Sequence, residues 1–194
     1  MEKVKEVPYG VADFVTVMEQ NLYYVDKTMF IPELEKQPRN LFFIRPRRFG
    51  KSIFLSMLHS YYDCNQSDKF QSLFGKLWIG QHPTELQGKY QVLFLDFSQV
   101  SGNIDSLERN FDFYCSVKLD GFMRRYGESY SEETREKVRK AEYAMDKLAF
   151  IHDEAEQKGF SLYLIVDEYD NFTNVVLNEH GEKVYHAITH ADGF

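Results

Sequence analysis

The stretch Ile44–Ser52, IRPRRFGKS, decides how this chain is read. From Arg45 to Ser52 it meets G-x-x-x-x-G-K-[ST] at every defined position except the first, where arginine stands for glycine. Each matched residue has a chemical task. Gly50 allows a tight turn in which consecutive amide N–H groups face an anion. Lys51 brings a point charge to phosphate oxygens, and the Ser52 hydroxyl is a ligand for Mg²⁺. A helix starting at Lys51 would aim the positive end of its dipole at the same anion. Arg45 fits if its φ is negative, and Pro46 favours an extended conformation for the residue before it, so Arg45 is expected to continue a strand. Pro46 then stiffens the loop, and Arg47 and Arg48 add charge near the phosphates. The plainer reading is a solvated basic loop at a helix end.

The flanking residues favour the phosphate reading. NLFFIR (40–45) is a short apolar run beside turn residues, the pattern of a buried strand. KSIFLSMLHSYYD (51–63) places Phe54, Leu55, Leu58, Tyr61 and Tyr62 at helical spacing. YQVLFLDFS (90–98) and SLYLIVDEYD (161–170) read as a second and a third buried strand. Between them, Asp105 to Tyr126 is expected to be a helix with Leu107, Phe111, Tyr114 and Phe122 near one face. Asp105 and Glu108 resemble a capping box, and Gly127 a stop. Residues 131–158 carry the longest helical signal, through Val138, Ala141, Met145, Leu148, His152 and Ala155, with Gly159 as its end. Shorter helices are expected over 11–20, from Thr28 to Lys36 and from Glu182 to Ala191, and a short strand over LYYV (22–25).

Buried strands alternating with long helices predict crossover connections and a mainly parallel sheet flanked by helices. Ligands in such α/β sheets bind beyond the carboxyl ends of the strands, where both RPRRFGKS and DEYD fall. The second cluster supplies what a phosphate loop lacks. Asp167 suits a magnesium ligand at a strand end, and Glu168 suits the group that orients and deprotonates an attacking water. Glu182, His186 and His190 are spaced for one helix face, but a solvated face is the better reading than a metal set.

Composition sets the outer bounds. The 194 residues suit one domain with a stable core, and 16% of them are aromatic, which argues against disorder. With 30 acidic against 23 basic residues, the net charge is −7, so contact with nucleic acid would need a local basic patch. Cys64 and Cys115 show no metal-ligand spacing and read as reduced thiols of a cytoplasmic protein. No signal peptide or membrane span is visible.

PYGVADF, YYVDKT, RPRRFGKS and LIVDEYDNF, in this order, resemble the predicted AAA-ATPase-like family of P-loop proteins. In that family arginine is the usual residue where other loops open with glycine. The resemblance implies a P-loop NTPase-like core over 39–194, with 1–38 as an N-terminal segment packing on it. It implies ATP binding through Arg47, Arg48, Phe49, Gly50, Lys51 and Ser52, with Lys51 and Glu168 as the catalytic pair. Mg²⁺ would be held by Ser52 and Asp167. It also suggests that Tyr24, Asp26 and Lys27 border the nucleotide, with a structural role as the alternative. Family members often carry a nuclease-like domain after the ATPase and continue past the acidic strand. The core is therefore expected to be incomplete after its Walker B strand, and a missing C-terminal domain would be the route to nucleic acid. An arginine finger from a partner subunit would make the protein a homo-oligomer. Two rival readings stay open. One is a nucleotide-gated switch without significant hydrolysis, the other a nucleic-acid-binding module that uses RPRR as a phosphate clamp.

Overall fold

Apolar spacing and local caps build most of the helices. The computed structural model describes residues 4–44, 49–100 and 104–171, and for 104 and 105 the backbone alone. The chain forms two compact units, Met1–Val92 and Leu93–Phe194.

In the first unit, Asp13 accepts from Thr16 N–H and opens α1 (Phe14–Glu19). A 3₁₀ turn (Thr28–Phe30) leads into α2 (Ile31–Glu35), in agreement with the helix expected from Thr28 to Lys36. The helix α3 (Lys51–Tyr62) buries Phe54, Leu55, Met57, Leu58, Tyr61 and Tyr62, the face its spacing predicts. Two short helices, α4 (Phe70–Phe74) and α5 (Trp78–Gln81), complete the unit, and neither has a sequence long enough to show a period.

Aromatic rings tie these pieces together. Phe14 is fully buried, stacks on Phe74 with centroids 5.0 Å apart and meets Tyr24 edge-on at 5.3 Å. Its N–H donates to Ser56 Oγ at 2.9 Å, which clips α1 to α3. The Tyr61 hydroxyl accepts from Thr84 N–H at 2.8 Å, and Glu35 accepts from Thr84 Oγ1 and from the Tyr62 hydroxyl. The helix α3 is thereby fastened at Ser56, Tyr61 and Tyr62.

The expected strand over 40–45 does not form across its described part. Leu41–Ile44 is irregular, with Phe42 and Ile44 about four-fifths exposed (78% and 81%), and only Phe43 turns inward, stacking on Phe54. A strand exists only where a neighbour completes its ladder, and among the described residues the pairing is confined to β1 and β2 and one isolated bridge, Asp63 to Tyr90. The expected strand over 22–25 is likewise irregular.

The strand β1 (Tyr90–Asp96) runs across the boundary of the units and pairs with β2 (Ser161–Asp167) in a parallel two-stranded sheet. Between them come α6 (Ile104–Tyr126), α7 (Glu132–Lys140) and α8 (Ala144–Lys158). The architecture is α/β, with helices flanking a small parallel sheet. β2 is less buried than its composition predicts: Ile165 and Asp167 are covered, whereas Leu164 is 56% exposed. Leu162 and Leu164 line an apolar groove of about 640 Å³ with Leu119, Phe122 and Leu148. No helix among the described residues is long and apolar enough to cross a membrane.

The single helix expected over 131–158 is two. It breaks at Ala141–Tyr143 because Asp112 of α6 accepts the Ala144 N–H at 2.8 Å, giving α8 its own start. The charged run of α7 is a solvated face, as its sequence suggests, with Glu133–Lys137 and Glu136–Lys140 pairs at 2.7 Å. Gly159 closes α8 at φ +74°, a left-handed cap that glycine adopts without steric cost. The helix expected from Glu182 to Ala191, with its His186 and His190, lies outside the described residues.

Glu154 holds this unit's corner. Its carboxylate accepts from Ser131 N–H at 2.7 Å and Ser131 Oγ at 2.9 Å, and Lys158 Nζ lies 2.7 Å away. Burial pushes its pKa up, but hydrogen bonds from Lys158, Thr134 and Ser131 outweigh that and bring it down to about 2. A carboxylate depressed in this way stabilises the fold above its unfolded value of about 4.5, and the contribution disappears as pH falls towards 2. The expected result is a loss of up to about 3 kcal/mol across that window. Urea titrations at a series of pH values should show it, and Glu154→Gln should flatten the same part of the profile.

Candidate functional site

One cluster of candidate residues is the head of α3, within the first unit. Gly50 sits at its N-cap with φ +77° and ψ +30°, a left-handed conformation that favours glycine. Most helices place Ser, Thr, Asp or Asn at this position to accept the first-turn amides. Gly50 brings no such acceptor, and the 12-residue helix behind it adds the positive end of its dipole. This is the form of an anion site. Lys51 and Ser52 occupy the first turn, both half-buried, and Phe49 before them is 62% exposed.

Lys27 reaches this point from a distant part of the sequence. A Cβ placed on Gly50 would lie 3.5 Å from Lys27 Nζ and 3.5 Å from Ile53 Cγ2, so the ammonium stands beside the glycine. Its neighbours explain why. Asp26 Oδ1 accepts from Thr28 N–H at 2.9 Å and from Thr28 Oγ1 at 2.7 Å. Asp26 Oδ2 accepts from Trp78 N–H at 2.7 Å, and Thr28 Oγ1 accepts from Ile79 N–H at 3.1 Å. Those amides open α5, which has no side-chain cap of its own at Leu77. Asp26 and Thr28 thus hold the amides that open α5, while Lys27 between them lies beside Gly50. Tyr24 packs its ring on Phe14, and burial followed by the Asp26 charge raises its pKa.

Thr28 is fully buried, so its hydroxyl can be tested cleanly. Thr28→Val keeps the shape but leaves the Ile79 N–H without its acceptor. The expected cost is about 1–3 kcal/mol in a denaturant titration, with Thr28→Ser losing less.

A separate cluster of candidate residues lies within the second unit, at the exit of β2. Asp167 ends the strand, 4% exposed, and its Oδ1 accepts from Glu168 N–H at 2.9 Å. Glu168 has φ +52°, a left-handed conformation in a residue that carries a Cβ. Its carbonyl accepts from Asn171 N–H at 3.0 Å, closing a turn. The Asn171 amide donates to the carbonyls of Phe97 at 2.9 Å and Val100 at 3.0 Å. Asp96 ends β1 and caps the 3₁₀ turn after it (Phe97–Gln99) through Ser98 N–H at 3.0 Å.

The structure thus gathers Phe49, Gly50, Lys51 and Ser52 at one helix start, and Asp167 with Glu168 at one strand exit. Arg45, Arg47 and Arg48 lie outside the described residues. The strained backbone of Glu168 and the bonds of Asn171 escape sequence reasoning, apart from the hint that a polar DEYDN run follows an apolar strand. Ser52 and Asp167 bring hydroxyl and carboxylate oxygens, the hard donors that Mg²⁺ prefers. No group of three or more His, Cys, Asp or Glu is placed to hold a metal among the described residues.

The family model for predicted AAA-ATPases matches residues 8–193. A stretch of 63 residues is 43% identical to an uncharacterized protein from the vnfD 5′ region of Azotobacter chroococcum mcd 1. That match covers 32% of this chain and 12% of the relative's length. No solved structure matches the chain. The family match runs from the segment before α1 to the residues beyond β2, and on it the chain belongs to the predicted AAA-ATPase family.

Proposed function

We propose that this chain binds ATP with Mg²⁺ and hydrolyses the terminal phosphate. The observation that carries the reading is the head of α3: a left-handed glycine opening a buried helix with Lys-Ser in its first turn and a second ammonium, Lys27, beside it. Two cations, a helix dipole and a cap without its own acceptor together favour a polyphosphate over a neutral ligand.

Within this reading Lys51 and Lys27 neutralise phosphate oxygens, and Arg47 and Arg48 add charge from the loop. Gly50 lets the backbone approach the phosphates, and Phe49 lines the loop beside it. Ser52 and Asp167 would hold Mg²⁺, which would supply positive charge to the phosphate oxygens. Glu168 orients a water and takes its proton. Phosphoryl transfer needs little covalent help, so positioning and charge account for most of the rate.

Thermal unfolding with and without Mg-ATP tests this. At a hundredfold excess over Kd a nucleotide should add about 2.7 kcal/mol, a rise of roughly 5–10 °C for a chain of this length. A rise with single-stranded DNA and none with Mg-ATP would overturn the reading in favour of a nucleic-acid module.

A further inference from the structure

We propose that Asn171 is a positioning residue for Glu168, an inference that rests on Glu168 being the group that orients the water. Glu168 is the only described residue beyond Asn21 that has a positive φ without being glycine. A side chain with a Cβ leaves that conformation unless its surroundings hold it. The holding groups can be named. The Glu168 N–H is bound by Asp167 Oδ1 and its carbonyl by Asn171 N–H. The turn itself is anchored by the Asn171 amide, whose NH₂ has two donors and directs both to carbonyls, Phe97 and Val100.

Those carbonyls bracket the segment after β1, 74 and 71 residues away in sequence. The segment is itself pinned by Asp96 through Ser98 N–H and by the Asn171 amide of the DEYDN turn. Asn171 therefore joins the exit of β2 to the exit of β1. Without it, Glu168 can relax to a negative φ and carry its carboxylate to a different place. Aspartate at 171 keeps the shape but would set a carboxylate oxygen against two carbonyl oxygens, turning two attractions into repulsions.

The test compares wild type, Asn171→Asp, Asn171→Ala, Glu168→Gln and the double variant Glu168→Gln/Asn171→Ala of the 194-residue chain. Steady-state Mg-ATP hydrolysis and amide hydrogen exchange are measured for each. Both Asn171 variants are expected to lower kcat at least tenfold with KM unchanged, and to speed exchange over 168–171 while α6 and α8 keep their protection. In the double variant, Asn171→Ala should add no further loss to Glu168→Gln, because the two act as a unit. The proposal is overturned if either Asn171 variant keeps kcat within twofold of wild type. It is also overturned if the loss recurs undiminished in the Glu168→Gln background, or if protection falls throughout the unit, which would make Asn171 a stability residue. Turnover that survives Glu168→Gln would instead remove the underlying reading of Glu168.

Discussion

Lys51→Ala is expected to abolish most of the stabilisation by Mg-ATP. Lys51 opens α3 directly after the left-handed Gly50, so in the proposed complex its ammonium and the first-turn amides would address one anion. A charge-assisted contact of this kind contributes about 1.5–3 kcal/mol, and two phosphate groups share the charge of Lys51 in the proposed complex. A loss of about 2.7 kcal/mol corresponds to a hundredfold weaker Kd. At a nucleotide concentration that gives wild type about 2.7 kcal/mol, the variant would then retain about 0.4 kcal/mol. The melting rise should shrink from roughly 5–10 °C to roughly 1 °C. The apo melting temperature of the variant, measured alongside, gives the baseline from which the rise is read. Lys51→Arg is not a safe control, because a planar fork does not replace a compact point charge at a close-packed turn. An undiminished rise in Lys51→Ala would show that the head of α3 does not receive the nucleotide.

Glu168→Gln should separate binding from chemistry. Glutamine keeps the side-chain length and the same left-handed penalty at φ +52°, so the substitution removes the carboxylate and leaves the backbone demand unchanged. A positioned general base contributes about 10²–10⁴ in rate. The expected result is a fall of that size in kcat, with Mg-ATP affinity within about threefold of wild type, as befits a group that acts only in the transition state. Glu168→Gly completes the comparison. It relieves the strain at 168, about 1 kcal/mol, while also losing the carboxylate. A variant at least as stable as wild type and without turnover would mark the strained backbone as serving function rather than folding. A wild-type chain that binds Mg-ATP with no measurable turnover would instead assign it to a nucleotide-gated switch.

Most of the helices were legible because their signals are local. The face of α3 and the Gly159 stop of α8 each depend on residues within a turn or two. The break between α7 and α8 was not legible, since nothing in RKAEYAM is a helix breaker and the cause is Asp112, 32 residues earlier. The exposure of Phe42, Ile44 and Leu164 was hidden for a related reason. An apolar run reports what a segment would bury, whereas burial depends on which neighbours are in place.

The site divides along the same line. Residue type and spacing alone determined that Gly50, Lys51 and Ser52 would start a helix and that Asp167 and Glu168 would close a strand, because both are consequences of short-range pattern. Only the tertiary structure brought Lys27 beside Gly50, bent Glu168 into the left-handed region and joined Asn171 to Phe97 and Val100. These contacts are hydrogen bonds and charge placements across tens of residues. Their energies depend on distance in space, and no periodicity along the chain records that.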